Sequence, residues 1–171
     1  MLASSSLGNG RSQGVWERIW ATTVEEFSDL GNAEDITRIV LRLLVAMTLG
    51  GLLGYERESV GAPAGLRTHM MVSLGCALFV LIPIQAGMQI DDVSRVLQGV
   101  TAGIGFLGAG AILKQHDSKD IHGLTTAASV WTTAAIGVAA GMGRESSAIV
   151  SAVFAFAILS ILRRVSKQRD T

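Results

Sequence analysis

The sequence is poor in cysteine, proline and charge, and each shortage narrows the class of protein. The 171 residues include two prolines and one cysteine. Because the cysteine is alone, no disulfide can form within the chain. Charged residues make up 16% of it, against roughly 25% in a soluble globular domain. Basic and acidic residues balance at 14 each, so no basic excess exists to neutralise nucleic-acid phosphates. Of the 28 charges, fifteen fall in residues 36–162, nearly all in short clusters between long uncharged runs, which excludes a soluble domain. The balanced charge excludes a nucleic-acid-binding module.

Long runs almost without charge take up most of the chain. Five of them have the length of a membrane span: residues 39–55, 70–88, 96–113, 124–142 and 146–162. An α-helix needs about 17–25 apolar residues to cross the hydrocarbon layer of a bilayer. Lipid does not tolerate open strands, and no alternating pattern indicates a barrel. We therefore predict an all-α integral membrane bundle of five transmembrane helices within residues 36–162.

Residues 1–35 form a polar and acidic segment that lacks the apolar core of a secretory signal. Apolar residues recur at helical spacing across 13–30, which predicts an amphipathic helix. Trp16 and Trp20 lie one turn apart, as is typical of rings at a water–lipid boundary. An interfacial anchor and a partner-binding helix are both compatible with this pattern. Asn32 is predicted to cap the first transmembrane helix.

The basic residues indicate an orientation. Five crossings place the 55–69 loop, the 114–123 loop and the tail 163–171 on one side, with eight basic residues there. Four basic residues lie near the membrane on the other side. The positive-inside rule then predicts a cytoplasmic C-terminus with a basic, lipid-facing tail, and a periplasmic N-terminus.

Glycines recur at the spacing that flattens helix faces. Residues 103–108 match the G-x-G-x-x-G pattern, but they lie inside a membrane-length run, which excludes a dinucleotide site. Glycines four residues apart let neighbouring backbones approach closely. We predict helix packing at eight of them: Gly50, Gly54, Gly99, Gly103, Gly105, Gly108, Gly137 and Gly141. The alternative is that the third segment is re-entrant and lines a polar pathway.

Ionisable residues at the membrane edges are the main functional candidates. Arg42 is the one charge within the first run, and it either snorkels outward or pairs with Asp91 or Asp92. Glu56, Arg57 and Arg67 flank the next loop, either as solvated turn charges or as functional groups.

Hydroxyls and histidines add fewer candidates. Thr125 and Thr126 are explained by capping and interhelical hydrogen bonds, or by a ligand. A short glycine-leucine repeat places two helix N-termini side by side near Arg67, which favours an anion. The three histidines lack the spacing of a zinc site, and no nucleophile has an activating partner. No catalytic residue, metal site or cofactor is predicted.

Four stretches closely resemble the MgtC/SapB family of bacterial inner-membrane proteins. They are GGLLGYER (50–57), GAPAGLRTHMMVSL (61–74), GIGFLGAGAIL (103–113) and GLTTAASVWTTAAIGVAAGMG (123–143). The resemblance implies five crossings. The family's signature residues fall on Glu56, Arg57, Gly65, Leu66, Arg67, Thr68, His69, Asp92 and Arg95. The usual proline after the acidic residue is here Val93, which leaves the geometry of that loop less defined.

The same resemblance implies a role in adaptation to low magnesium, survival inside host cells and inhibition of the F-type ATP synthase. Archetypal members carry a soluble cytoplasmic domain after the fifth crossing, whereas nine residues follow Leu162 here. We expect a non-enzymatic regulator that binds membrane lipid and another membrane protein, with the ATP synthase or self-association as candidates. The alternative is a small transporter whose path uses Arg42, Asp92, Arg95 and the third segment.

Overall fold

A computed structural model describes residues 14–26, 32–113 and 123–162, and all regular structure in these ranges is helical. The all-α class is therefore confirmed. The helices are α1 (Val15–Glu26), α2 (Ala33–Ser59), α3 (Leu66–Gln85), α4 (Ile90–Leu113), α5 (Leu124–Gly141) and α6 (Glu145–Ala157), followed by a π-helical turn at Ile158–Leu162.

Four of the described helices are long and apolar enough to cross a membrane: α2, α3, α4 and α5. A shorter apolar helix over Glu145–Ile161 occupies the place of the fifth predicted span. The tail 163–171, His116, His122 and the ends of the predicted amphipathic helix (13 and 27–30) lie outside the described residues.

The chain divides into two units, residues 1–37 and 38–171. In the first unit α1 is amphipathic, and every one of its side chains is exposed, including Trp16 and Trp20. α2 begins directly after Asn32, whose side-chain oxygen accepts a hydrogen bond from the Asp35 backbone N–H at 2.8 Å. This is the expected N-cap geometry, so the predicted cap is confirmed.

α3 lies between α2 and α5, and glycines allow both close approaches. A Cβ atom at Gly50 would lie 2.7 Å from the His69 carbonyl oxygen, and one at Gly54 would lie 2.7 Å from the Leu66 Cα. Because residue 50 faces residue 69 while residue 54 faces residue 66, α2 and α3 run antiparallel. The Ser73 hydroxyl strengthens this contact by donating to the Ala46 carbonyl oxygen at 2.7 Å.

The second approach uses Gly137 and Gly141 on α5. A Cβ at Gly137 would overlap the Ser73 backbone, with the Ser73 Cα 2.8 Å away, and one at Gly141 would lie 2.7 Å from the Ala77 Cα. Because residue 137 faces residue 73 and residue 141 faces residue 77, α3 and α5 run parallel. Ser73 is thus contacted by Gly50 on one side and by Gly137 on the other, and neither glycine position has room for a side chain.

Small side chains dominate the rest of the core. One buried cluster joins α2, α3, α5 and α6, and its alanines are Ala46, Ala77, Ala140, Ala148, Ala152 and Ala155. A second cluster packs α4 against α3 and α5 through Cys76, Ile104, Val130 and Ala134. Cys76 is buried, as its apolar surroundings in the sequence predict. Alanine and glycine at these positions allow close helix packing where no aqueous hydrophobic effect drives association.

Candidate functional site

Five of the seven buried polar residues in the described ranges lie where α2 ends and α3 and α5 begin. We call them the polar cluster: Glu56, Arg57, His69, Thr126 and Ser129. Each is at most 9% exposed. The α2–α3 turn is short, and α3 and α5 are parallel neighbours, so three helix ends meet at this point. Buried polar and ionisable groups in a membrane bundle are costly and indicate a functional or structural requirement.

His69 is the centre of the polar cluster and is fully buried. Its Nδ1 lies 2.9 Å from the Gly65 carbonyl oxygen, and its Nε2 lies 3.1 Å from the Ser129 hydroxyl oxygen. That hydroxyl also lies 2.9 Å from the Thr126 carbonyl oxygen. The imidazole therefore links the first turn of α3 to the first two turns of α5.

Glu56 and Arg57 form an ion pair between neighbours in sequence, with Arg57 Nη1 3.5 Å from Glu56 Oε2. Glu56 Oε1 and Arg57 Nε are buried without a hydrogen-bond partner. Sequence reasoning left open whether these charges are solvated in a turn. Both side chains are buried, so a solvated turn does not describe them.

The neighbouring Glu58 caps α3 from outside that helix. Its Oε2 accepts a hydrogen bond from the Leu66 backbone N–H at 2.8 Å. A carboxylate at a helix N-terminus satisfies a free N–H and the positive end of the dipole. The anion expected at the start of α3 is thus supplied by the chain itself. Arg67 and Thr68, which follow in the same turn, are exposed.

Arg42 lies at the other end of the bundle, where α5 ends. Its Nε is 3.7 Å from Glu145 Oε1, and its Nη1 donates to the Gly141 carbonyl oxygen at 3.4 Å. Pairing with Asp91 or Asp92, one of the two alternatives that the sequence left open, is therefore wrong, because Arg42 pairs with Glu145 instead. Glu145 starts α6 directly after the turn at Gly143, whose φ of +74° reverses the chain and brings this carboxylate to Arg42. A cation at the end of α5 also suits the helix dipole.

The remaining polar candidates belong neither to the polar cluster nor to the contact between Arg42 and Glu145. Asp92 and Arg95 are exposed in the first turns of α4, and Thr125 is exposed at the start of α5. Their side chains are not brought together with Arg42. Across the described ranges, no group of three or more His, Cys, Asp or Glu residues has the geometry to hold a metal ion.

The glycines of α4 differ from those of α2 and α5. Nothing from neighbouring helices lies within 4 Å of a Cβ built at Gly99, Gly103 or Gly105, and one at Gly108 makes an ordinary contact with Ala127 at 3.6 Å. Instead, Gly99 and Gly103 line an apolar groove of about 480 Å³ between α3 and α4. Within the described chain, three of these four predicted packing positions have no packed helix against them.

The family model described as "MgtC family" matches residues 43–168, which include α3, α4, α5, α6 and most of α2. The chain belongs to the MgtC family. The polar cluster and both glycine pairs, Gly50/Gly54 and Gly137/Gly141, lie within the matched region.

Three relatives show how far the similarity to MgtC-family proteins extends. SrpB of Synechococcus elongatus is 42% identical over 137 residues, covering 74% of this chain and 75% of SrpB. YhiD of Escherichia coli K12, named as a candidate magnesium transporter, is 37% identical over 74% of this chain and 61% of YhiD. MgtC of Salmonella typhimurium is 36% identical over 75% of this chain.

The match spans only 54% of the length of that Salmonella MgtC, so about half of the relative lies outside the aligned region. No solved structure matches the chain. Family membership and the apolar helices together establish a multi-pass membrane protein of the MgtC family.

Proposed function

We propose that this protein is a non-enzymatic inner-membrane regulator in low-magnesium and stress adaptation, and that it acts by binding another membrane protein. The observation that carries the proposal is the open glycine face of α4. Glycines at the same spacing on α2 and α5 are packed against α3, whereas Gly99 and Gly103 face an unfilled groove.

A transmembrane helix of a partner is the occupant that the chemistry of this groove favours. Its lining is apolar and includes Cys76 and Phe79 of α3, with Gly99 and Gly103 forming a flat floor. Small residues four apart let a second helix backbone approach closely, which is how helices associate in lipid. The F-type ATP synthase is the partner that the family resemblance suggests, and a second copy of this chain is the other.

Filling the floor of the groove is expected to prevent partner binding while the bundle remains folded. The variant Gly103→Leu should reduce the amount of co-purified membrane partner by about tenfold or more, since a leucine there holds the backbones apart. The measurement is purification in mild detergent from magnesium-starved cells, followed by quantitative identification of bound proteins.

The matched control is Gly105→Leu. Residue 105 lies about 200° around α4 from residue 103, and a Cβ there also meets nothing. This variant should retain the partner at the wild-type level. If Gly103→Leu retains it equally well, the groove is not the docking site. If wild-type protein carries no stoichiometric membrane partner, the regulatory proposal fails.

The proposed orientation has its own prediction. A reporter enzyme that is active only in the cytoplasm should be active when fused after Thr171, because the basic loops and tail favour that side. The same reporter fused before Met1 should be silent. The opposite pair of activities would reverse the orientation.

Transport of a small ion is the second candidate, favoured by the buried Glu56–Arg57 pair with its two unpartnered atoms and by the name of YhiD. The path through Arg42, Asp92, Arg95 and the third segment stays a prediction; Asp92 and Arg95 are exposed, and Arg42 pairs with Glu145. Magnesium-dependent flux into vesicles that contain the purified protein alone would support transport over regulation.

A further inference from the structure

The contacts of His69 fix the positions of its hydrogen atoms more tightly than those of a surface histidine. A carbonyl oxygen only accepts hydrogen bonds, so the Nδ1 atom, 2.9 Å from the Gly65 oxygen, must carry a proton. The Nε2 atom faces the Ser129 hydroxyl, and this hydroxyl also faces the Thr126 carbonyl oxygen.

When the imidazole is neutral, the three contacts share only two protons, so one contact is not a hydrogen bond. A neutral ring with a proton on Nδ1 has an acceptor at Nε2. The Ser129 hydroxyl has a single proton, so it donates either to Nε2 or to the Thr126 oxygen, but not to both. When Nε2 is also protonated, it donates to Ser129, Ser129 donates to Thr126, and all three contacts become hydrogen bonds.

We propose that His69 is a proton-binding site enclosed between α3 and α5. A proton from the aqueous phase binds Nε2, and the Ser129 hydroxyl then turns from Nε2 to the Thr126 carbonyl oxygen. No covalent bond other than N–H is made. The proton adds one positive charge to the polar cluster and one hydrogen bond to the first turns of α5.

Among the residues that the structure describes, the charged groups that act on the ring are those of α2. Glu56 and Arg57 are the ionisable side chains that act electrostatically on the imidazole. Glu56 has a free buried oxygen and favours the added charge, whereas Arg57 opposes it. α5, the other helix packed on His69, contains no ionisable residue from Leu124 to Gly141. Burial of the ring opposes the added charge most strongly. The hydrogen bond gained at Nε2 and the free Glu56 oxygen favour it, and the experiment below measures which prevails.

The experiment follows the ring nitrogens of His69 directly. The chain has three histidines, so H116Q and H122Q together leave His69 as the single histidine. This variant, purified without a histidine tag and ¹⁵N-labelled at histidine, is placed in lipid vesicles. We expect one protonated ring nitrogen at about pH 8 and two at about pH 5. A ring that keeps one unprotonated nitrogen down to about pH 5 overturns the proposal.

Two hydroxyl deletions on α5 test the role of Ser129. In the same single-histidine chain, Ser129→Ala should lower the titration midpoint of His69 by about one pH unit, because the charged ring loses a hydrogen bond. Thr132→Ala removes a hydroxyl that instead donates to the Ala128 carbonyl oxygen, so it should leave the midpoint unchanged. Equal midpoints in all three chains would overturn the proposed network. Because partner binding is not measured, these outcomes are independent of the proposed function.

Discussion

Replacing Gly137 by alanine is expected to destabilise the bundle by about 3 kcal/mol. This is the expectation even though alanine is intrinsically more favourable in a helix than glycine by about 1 kcal/mol. The added Cβ would overlap the Ser73 backbone, with the Ser73 Cα and carbonyl carbon 2.8 and 2.9 Å away. Backbone atoms cannot rotate aside as a side chain does, so α3 and α5 must separate. The free energy of unfolding in detergent micelles measures the effect.

Gly75→Ala is the matched control on α3. A Cβ at Gly75 meets no atom within 4 Å, so this substitution should be neutral or stabilising by up to about 1 kcal/mol. Equal stability of the Gly137→Ala and wild-type proteins would show that α5 does not lie this close to α3.

Separating Arg42 from Glu145 is the second change with a large expected effect. The pair lies at the end of α5 with side chains 24% and 34% exposed, between the ordinary surface and buried cases. Breaking a buried pair costs about 3–5 kcal/mol, and an exposed pair contributes at most about 1 kcal/mol. We expect a coupling energy of about 1–2 kcal/mol in a double-mutant cycle of Arg42→Met and Glu145→Gln, measured by unfolding.

The control cycle pairs Arg67→Met with Glu145→Gln. Arg67 is exposed at the end of the bundle where α3 begins, so the two effects should add within about 0.5 kcal/mol. A cycle through Arg42 that is equally additive would mean that Glu145 does not hold the arginine in place.

The membrane class and the cap at Asn32 could be predicted from the sequence because each depends on local pattern. Uncharged run length predicts a span without knowledge of its neighbours, and a cap depends on residues three positions apart. The face that each helix turns inward depends on packing. Gly50, Gly99 and Gly137 have the same local signal, and only the arrangement around α3 distinguishes them.

The polar candidates show the same division. Arg42 could be recognised as costly in a membrane segment, but its partner could not, because Glu145 is distant in sequence and is brought close by the turn at Gly143. Glu56 and Arg57 resemble turn charges in sequence, and their burial follows from three helix ends meeting. Ser73 was not among the candidates. It lies four residues after His69 on the same face of α3, and this spacing is the signal that would have identified it.

The short last helix has a consequence for the surrounding lipid. Charges at Glu145 and Arg163 bound an apolar stretch of 17 residues, which spans about 26 Å at the rise of an α-helix, against about 30 Å of hydrocarbon. A short span is accommodated by thinning of the bilayer or by flanking side chains that reach the interface, and such a mismatch costs fractions of a kcal/mol per ångström. The protein is therefore expected to partition into the thinner regions of its membrane.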